Sequence, residues 1–297
     1  MKAAVLGSPV GHSLSPVLHR AAYRALGLAG WSYQAIECDG PALAGVIAAC
    51  GPDWAGLSLT MPLKHEVLPL LDQVEPRAAD AGAANTVVFR DGARDGYNTD
   101  IPGMIAALAE AAGPTGAAPA AGGTPAGGTP AGGTPAGGTP AGPGEVLILG
   151  GGATARSALT AVAELGGESA TVAIRDPARA GDLLNTAERL GVAVRLTRFG
   201  EPTGTDPALL ISTVPAGAAD SYAKLIATRE LAPSRVLDVI YHPWPTPLAL
   251  AARDAGAAVA GGFDLLLHQA ARQVELMTGR PAPVPEMRAA GLAAMPT

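Results

Sequence analysis

Short apolar runs alternate with segments of helical periodicity along the chain, apart from a glycine- and proline-rich stretch near its middle. In the first hundred residues, a hairpin centred on Asp91-Gly92 joins two of the predicted strands. The strands are predicted at 3–7, 31–38, 55–60, 85–90 and 94–98, with helices at 17–26 and 41–50, one ending at Leu71 and one near 77–83. Strands that alternate with helices in this way predict an α/β sheet with crossover connections.

The second half of the chain repeats the alternation more regularly, after a connecting helix predicted at 102–112. Strands are predicted at 146–149, 170–175, 192–196, 208–213, 235–240 and 257–260, with helices at 156–165, 178–190, 220–228 and 246–254. This pattern predicts one open, doubly wound sheet that is complete by about residue 260. Two further helices, at 262–277 and 285–294, are surplus to that sheet and can fold back onto the first domain.

A glycine turn, Gly150-Gly-Gly-Ala-Thr154, separates the first strand of this second half from its first helix. Gly150 permits a tight turn, Gly152 lets the backbone approach a pyrophosphate, and Ala155 keeps helix and strand close together. The phosphates would sit on free amides at the helix N-terminus, where the helix dipole favours negative charge. The spelling G-x-G-x-x-A in this context predicts a dinucleotide site, and a plain tight turn is the alternative.

The unit Gly-Gly-Thr-Pro-Ala is repeated four times over 122–141, shortly before the glycine turn. Glycine and proline at this density cannot bury apolar surface, which predicts a low-complexity linker at 114–143. We interpret the repeat as a tandem-repeat insertion at a domain boundary.

Length and charge restrict the classes of function. A chain of 297 residues is long enough for two domains, and its net charge of -6 argues against nucleic acid as the main partner. No apolar run approaches the roughly 20 residues that span a bilayer, so no membrane partner is expected. The N-terminal stretch reaches Gly7 too soon for a signal peptide, and the two cysteines, Cys38 and Cys50, suit reduced thiols in a cytoplasmic protein.

Polar side chains in the first half are candidates for chemistry. Ser13 and Ser15 offer hydroxyls at a predicted helix N-terminus, which suits a substrate carboxylate, and simple helix capping with Ser15 as N-cap is the alternative. Lys64 and Asp100 each follow a predicted strand, at the edge where open α/β sheets bind ligands. An ammonium held by a carboxylate can stabilise charge growing on a carbonyl oxygen and deliver its proton if a hydride donor lies nearby. A solvated surface charge is the alternative for each.

The residues after the second strand of the doubly wound sheet bear on the coenzyme. Arg175 and Arg179 can accept a 2′-phosphate and favour NADP, whereas Asp176 would suit the free ribose hydroxyls of NAD. NADP is therefore the predicted cofactor, and NAD stays possible because of Asp176. The five histidines show no metal-binding spacing, so no metal is predicted.

Six different short motifs are distributed along the chain, from its first predicted loop to its penultimate predicted helix. They are GSPVGHSLSP at 7–16, LTMPLK at 59–64, AANT at 83–86, NTD at 98–100, GGGAT at 150–154 and GGFDLLLHQ at 261–269. Together they closely resemble the shikimate dehydrogenases, the enzymes that reduce 3-dehydroshikimate to shikimate in aromatic amino-acid biosynthesis. The resemblance extends over the chain except for about 114–143.

The resemblance implies a role for each motif. It implies that Ser13 and Ser15 bind the substrate carboxylate, and that Lys64 is the catalytic acid/base, paired with Asp100. The ring hydroxyls of the substrate would be held by Thr60, Asn85, Asp100, Tyr241 and Gln269. NADP would lie on Gly150, Gly151, Gly152, Ala153 and Thr154, with its 2′-phosphate near Arg175 and Arg179 and its nicotinamide between Val239 and Gly262.

Some positions depart from the family pattern. The usual Asn-Arg-Thr reads Ile174-Arg-Asp176, which weakens the expectation of NADP. The usual Asn of the family's N-V-T-V-P-F-K run is Ser58, which we interpret as a packing change.

The sequence thus predicts a two-domain α/β oxidoreductase acting on a small molecule, as a monomer or homodimer. An N-terminal α/β substrate-binding domain would comprise 1–101, completed by 262–297, and a Rossmann-type doubly wound NADP-binding domain would comprise 102–261. The alternatives are an NAD-dependent quinate/shikimate or aminoshikimate dehydrogenase and, more remotely, a non-catalytic nucleotide-sensing module. An interaction protein that uses the repeat as a tether is a further class.

Overall fold

The strands of the first half form one mixed sheet. A computed structural model describes residues 1–113, 142–201 and 206–295, so most of the predicted linker lies outside the described residues. The strands are β1 (Lys2–Gly7), β2 (Ser32–Glu37), β3 (Trp54–Leu59), β4 (Gln73–Val74), β5 (Thr86–Arg90) and β6 (Ala93–Tyr97). Their order is β2-β1-β3-β5-β6-β4, with β1 parallel to β2 and β3, and with β5 antiparallel to β3 and β6. The short β4 was not predicted.

The predicted hairpin is confirmed between β5 and β6. Asp91 and Gly92 have φ angles of 48° and 82°, the left-handed backbone that a two-residue turn between antiparallel strands requires. The helices of this half are α1 (Ser15–Ala25), α2 (Gly40–Ala48), α3 (Leu63–Glu66) with a following 3₁₀ turn (Leu68–Leu70), α4 (Pro76–Ala81) and α5 (Asp100–Ala112). Because α5 begins at Asp100, the predicted domain boundary between 101 and 102 falls within its first turn.

The prediction of Ser15 as a helix N-cap is wrong. The preceding turn already brings Leu14 into helical backbone angles (φ -80°, ψ -7°), so α1 begins at Ser15 itself. The Ser13 hydroxyl accepts a hydrogen bond from the Ser15 N–H at 3.3 Å. The Ser15 hydroxyl is thereby left for other partners.

The second half forms the predicted doubly wound sheet. Its strands are β7 (Val146–Leu149), β8 (Ser169–Ile174), β9 (Ala193–Arg198), β10 (Leu209–Ser212), β11 (Arg235–Asp238) and β12 (Ala258–Ala260), and its helices are α6 (Ala153–Glu164), α7 (Gly181–Leu190), α8 (Asp220–Ala227) and α9 (Pro247–Asp254). All neighbours are parallel, in the order β9-β8-β7-β10-β11-β12. Both central strands, β7 and β10, are buried along their whole length, as expected for parallel strands with helices on both faces. The order reverses between β7 and β10, which is the Rossmann arrangement.

The last two helices fold back onto the first half. Helix α10 (Gly262–Thr278) packs along α5, and α11 (Val284–Ala294) packs on α1. Leu18 of α1, Leu267 of α10 and Met287 of α11 belong to one buried apolar cluster. None of the described helices is long and apolar enough to cross a membrane.

Candidate active site

A cleft of about 220 Å³ lies between the two sheets, at the carboxyl ends of β3 and β11. Its walls include all of the predicted catalytic and substrate-binding residues: Ser13, Ser15, Thr60, Lys64, Asn85, Asp100, Tyr241 and Gln269. The predicted cofactor residues Thr154, Val239 and Gly262 also line it. The cleft therefore brings together side chains that are up to 256 positions apart in sequence (from Ser13 to Gln269).

Lys64 and Asp100 form an ion pair in this cleft. The Lys64 Nζ lies 2.6 Å from Asp100 Oδ2, and the two side chains are only 16% and 9% exposed. Lys64 stands on the short helix that follows β3, and its carbonyl accepts a hydrogen bond from the Ala84 N–H at 2.8 Å. Asp100 is the first residue of α5, where the positive end of the helix dipole favours a carboxylate. The interpretation of these residues as separate surface charges is thus excluded.

Asn85 holds the other oxygen of the carboxylate. Its Nδ2 donates to Asp100 Oδ1 at 2.9 Å and lies 3.4 Å from Gln269 Oε1. Its own Oδ1 accepts from the Thr99 N–H at 2.8 Å and from the Thr86 hydroxyl at 2.9 Å. Both oxygens of Asp100 are therefore partnered, and the Asp100 carboxylate is fixed in place beside Lys64.

Hydroxyl groups also line the cleft. Ser13 and Ser15 lie at the start of α1, and Tyr241 follows β11. Burial raises the pKa of Tyr241, so its phenol stays a neutral hydrogen-bond donor over the ordinary pH range. Neutral donors at a helix N-terminus suit a small carboxylate.

The glycine turn between β7 and α6 has the geometry that a dinucleotide needs. Gly150 has a φ of +108°, and an added Cβ would lie 2.5 Å from Thr213 Oγ1, so only glycine fits. An added Cβ at Gly151 would lie 3.0 Å from Ile174 Cγ2, whereas one at Gly152 would meet no atom of the described residues within 4 Å. Ala153 begins α6. The turn therefore packs tightly against the sheet at Gly150 and opens at Gly152, where a pyrophosphate could approach.

The arginines after β8 are exposed. Within the described part of the chain, the guanidinium groups of Arg175 and Arg179 form no hydrogen bond or ion pair, and both are available to an anion. Asp176, in contrast, has a hydrogen-bond partner within the protein. Its Oδ1 accepts from the Ala178 N–H at 3.1 Å and caps the 3₁₀ turn Pro177–Arg179. The Asp176 carboxylate, which suits the ribose hydroxyls of NAD in the sequence analysis, is thus hydrogen-bonded to nearby backbone instead.

Ser58, interpreted from the sequence as a packing change, is buried but also belongs to the cleft. Ser58 lines the cleft, accepts a hydrogen bond from the Tyr33 hydroxyl at 2.6 Å and donates to Gln273 Oε1 at 2.8 Å. Gln273, which also lines the cleft, was missed altogether. It stands four positions after Gln269 on α10, and this spacing on one helix face was a usable signal. Among the described residues, no three His, Cys, Asp or Glu side chains are grouped so that they could hold a metal ion.

A Rossmann sheet with a glycine turn, facing a buried lysine–carboxylate pair across a cleft, defines the class of two-domain, dinucleotide-binding α/β oxidoreductases. Comparison with solved structures then gives the family. A shikimate dehydrogenase of Mycobacterium tuberculosis is 40% identical, with a TM-score of 0.79 and with 98% of this chain and 99% of that chain covered. This chain belongs to the shikimate dehydrogenase family.

Other comparisons agree. The family model of the shikimate dehydrogenase substrate binding domain matches residues 5–87, and that of the shikimate 5′-dehydrogenase C-terminal domain matches 262–290. A shikimate 5-dehydrogenase of Thermus thermophilus, solved in complex with NADP(H) and shikimate, is 30% identical over 99% of this chain and 100% of that chain, with a TM-score of 0.78. A shikimate dehydrogenase (NADP(+)) of Staphylococcus aureus is 29% identical over 98% of both chains.

Proposed function

We propose that the protein catalyses the reversible, NADPH-linked reduction of 3-dehydroshikimate to shikimate, a step of aromatic amino-acid biosynthesis. The observation that carries the proposal is the 2.6 Å contact between Lys64 Nζ and Asp100 Oδ2 in a cleft that also reaches the Rossmann half. The relatives named as shikimate dehydrogenases, over nearly the full length of the chain, supply the substrate class.

Lys64 acts as the acid in the reducing direction. Its ammonium faces the carbonyl oxygen of the substrate, stabilises the negative charge that grows there and delivers the proton. In the oxidising direction the same amine takes the hydroxyl proton back. Asp100, which accepts from Lys64, keeps the ammonium directed at the reacting oxygen and offsets its charge. NADPH supplies the hydride when bound.

The substrate is oriented by neutral groups around its ring. Ser13 and Ser15 receive the carboxylate at the start of α1. Thr60, Asn85, Tyr241 and Gln269 hold the ring hydroxyls on the other sides, together with Asp100. Fixing the ring at several points keeps the reacting carbon in one position, and such positioning contributes much of an enzyme's rate.

NADP is the cofactor that the second half fits best. The open side of the turn at Gly152 leaves room for the pyrophosphate on the N-terminus of α6, and Val239 and Gly262 border the nicotinamide position. The guanidinium groups of Arg175 and Arg179, which have no hydrogen-bond or ion-pair partner among the described residues, suit a 2′-phosphate, and Asp176 is already used as a cap. We assign residues 1–101 with 262–297 to the substrate domain and 102–261 to the cofactor domain.

The proposal is tested by oxidation of shikimate and of quinate, each with NADP and with NAD, followed by absorbance of the reduced nicotinamide. Shikimate with NADP should be strongly preferred. Lys64→Ala should lower turnover by about 10²- to 10⁴-fold. Lys224→Ala on α8 is the matched control, because that lysine is exposed and remote from the cleft, and it should keep wild-type turnover.

Each alternative gives a different result in the same assay. A preference for quinate or for NAD would indicate a catabolic relative. No turnover with any pair would indicate a binding module that keeps the fold. Full turnover of Lys64→Ala would remove the lysine from the mechanism.

A further inference from the structure

A line of buried hydrogen bonds leads from β2 to the ion pair of the cleft. The Tyr33 hydroxyl donates to Ser58 Oγ at 2.6 Å, and Ser58 donates to Gln273 Oε1 at 2.8 Å. Gln273 Nε2 donates to the Thr86 hydroxyl at 3.0 Å, and Thr86 donates to Asn85 Oδ1 at 2.9 Å. We call these five residues the buried relay. It ends one bond short of Asp100, to which Asn85 Nδ2 donates.

The direction of every bond in the relay follows from its ends. The Thr99 backbone N–H, which can only donate, points at Asn85 Oδ1 from 2.8 Å, so the oxygen of that amide is identified. Gln273 Nε2 lies 3.5 Å from the Asn85 backbone carbonyl, which can only accept, and 3.0 Å from the Thr86 hydroxyl, so Thr86 accepts from Gln273 and donates its own proton to Asn85 Oδ1. The amide nitrogen of Gln273 therefore faces Thr86 and its oxygen faces Ser58. All donors point from Tyr33 towards Asn85.

We propose that Gln273 and Ser58 are positioning residues that act with the Thr99 N–H to fix the orientation of the Asn85 amide, so that its N–H groups face Asp100 and Gln269. The proposal rests on the function proposed above. Gln273 is only 1% exposed and Ser58 only 4%, so loss of either hydrogen-bonding group leaves a buried partner poorly compensated. With the amide reversed, the Asn85 oxygen would lie against the Asp100 carboxylate and the Gln269 amide oxygen, and both of these residues are proposed to hold the substrate.

The far end of the relay is suited to stay a donor. Tyr33 is buried, and burial raises the pKa of its phenol well above the usual range, so it keeps its proton at any working pH. His19 stacks on the Tyr33 ring with centroids 3.9 Å apart. The stacked imidazole holds the phenol ring in the orientation that reaches Ser58.

Gln273→Glu gives the sharpest test, because the change is nearly isosteric and its effect depends on one proton. When the introduced carboxyl group is protonated it can still donate to Thr86, whereas its ionised form can only accept. Burial raises the pKa of a carboxyl group at such a site, so ionisation is expected over roughly pH 5–8. The KM for shikimate should rise about tenfold as pH rises through this range, while the KM for NADP stays unchanged. The wild-type enzyme should lack this step.

The other charged or titratable groups around the relay are the same in both enzymes. They are Lys64, Asp100, His12 and Tyr241 in the cleft, Tyr33 on β2, and His19 and Tyr23 on α1. A pH step that occurs only in Gln273→Glu therefore belongs to the new carboxyl.

Further variants separate positioning from simple loss of structure. Ser58→Ala should raise the KM for shikimate about three- to tenfold with little change in kcat, and Ser58→Thr should restore it. Thr278→Val is the matched control, because its hydroxyl bonds only to backbone at the end of α10, and both constants should be unchanged. A destabilised enzyme would lose active fraction at constant KM.

The outcomes distinguish this inference from the function on which it rests. A wild-type enzyme that does not oxidise shikimate overturns the proposed function. An active wild type with the same KM profile in Gln273→Glu, or a Ser58→Ala variant whose loss lies in kcat alone, overturns the positioning role and leaves the function intact.

Discussion

Arg156 joins the two halves of the molecule, and its replacement should have a measurable cost. It stands in the first turns of α6 and is only 6% exposed. Its Nε donates to the Ala81 carbonyl at 2.9 Å and its Nη2 to the Gly82 carbonyl at 3.2 Å. These carbonyls end α4, where the negative end of the helix dipole attracts a cation. One buried guanidinium thus caps a helix of the other half.

The magnitude follows mainly from these two bonds, because the further ion pair of Arg156 Nη1 with Asp182 Oδ2, at 3.5 Å, involves a carboxylate that is 69% exposed and so contributes little. Hydrogen bonds from a charged group contribute about 1.5–3 kcal/mol each, or about 3–6 kcal/mol together. Burial lowers the pKa of Arg156, which means that the desolvation cost offsets part of this gain. Arg156→Met keeps most of the apolar stem and should therefore destabilise the protein by about 2–3 kcal/mol. At about 2–4 °C per kcal/mol for a chain of this size, Tm should fall by about 4–12 °C.

Calorimetry on three variants checks this estimate. Arg156→Lys keeps the charge but loses the planar two-point donor, so about half of the loss should remain. Arg272→Met makes the same substitution at an arginine that is 46% exposed and paired with Glu275 on its own helix, and it should shift Tm by less than about 2 °C. An Arg156→Met protein with the same Tm as the wild type would refute the idea that the hydrogen bonds from this guanidinium to the two carbonyls stabilise the protein.

Two further predictions concern the coenzyme and pH. The double variant Arg175→Ala, Arg179→Ala should raise the KM for NADP at least about tenfold in initial-rate assays and leave the KM for NAD unchanged. The reason is that only NADP carries the 2′-phosphate. An equal rise in KM for both coenzymes would place the phosphate elsewhere. Burial lowers the pKa of His19 from 6.5 to about 4, so the unfolded chain takes up this proton first and stability is lost as pH falls from 6.5 to about 4. The loss in free energy of unfolding is about 3 kcal/mol. Urea unfolding of wild type and His19→Phe between pH 7 and pH 4.5 measures it, and the variant should lack this part of the pH dependence. The same pH dependence in both proteins would exclude His19 as the cause.

The fold could be predicted because it depends on patterns that the chain shows locally. The short buried strands β7 and β10, in which Ser212 is the one polar residue, and the glycine turn at Gly150 are recognisable within a few residues. The ion pair of Lys64 and Asp100 could be predicted only from motif resemblance and from the rule that strand ends meet at one edge. The rule places two residues near each other, but it does not predict a hydrogen bond between them.

The relay could not be predicted, because it depends on side-chain contacts between distant segments. Ser58 and Gln273 are 215 positions apart, and nothing near Ser58 in sequence indicates that an amide will lie against it. The buried contacts of Arg156 could not be predicted either, since an arginine in an amphipathic helix is normally exposed. Asp176 was misleading for a local reason: a carboxylate two residues before a free N–H can cap a turn as readily as bind a ribose.

The segment 80–85 connects the cofactor half of the molecule to Lys64 through hydrogen bonds. The carbonyl groups of residues 80–83 accept hydrogen bonds from Arg189 of α7, Arg156 of α6 and Asn98, which precedes α5. The next N–H, at position 84, donates to the Lys64 carbonyl at 2.8 Å. Backbone groups of one short segment are thus bonded both to the helix that begins at the glycine turn and to the residue that carries the reactive ammonium. The connection between α6 and Lys64 therefore passes through backbone groups of this segment, which is why its sequence alone did not reveal it.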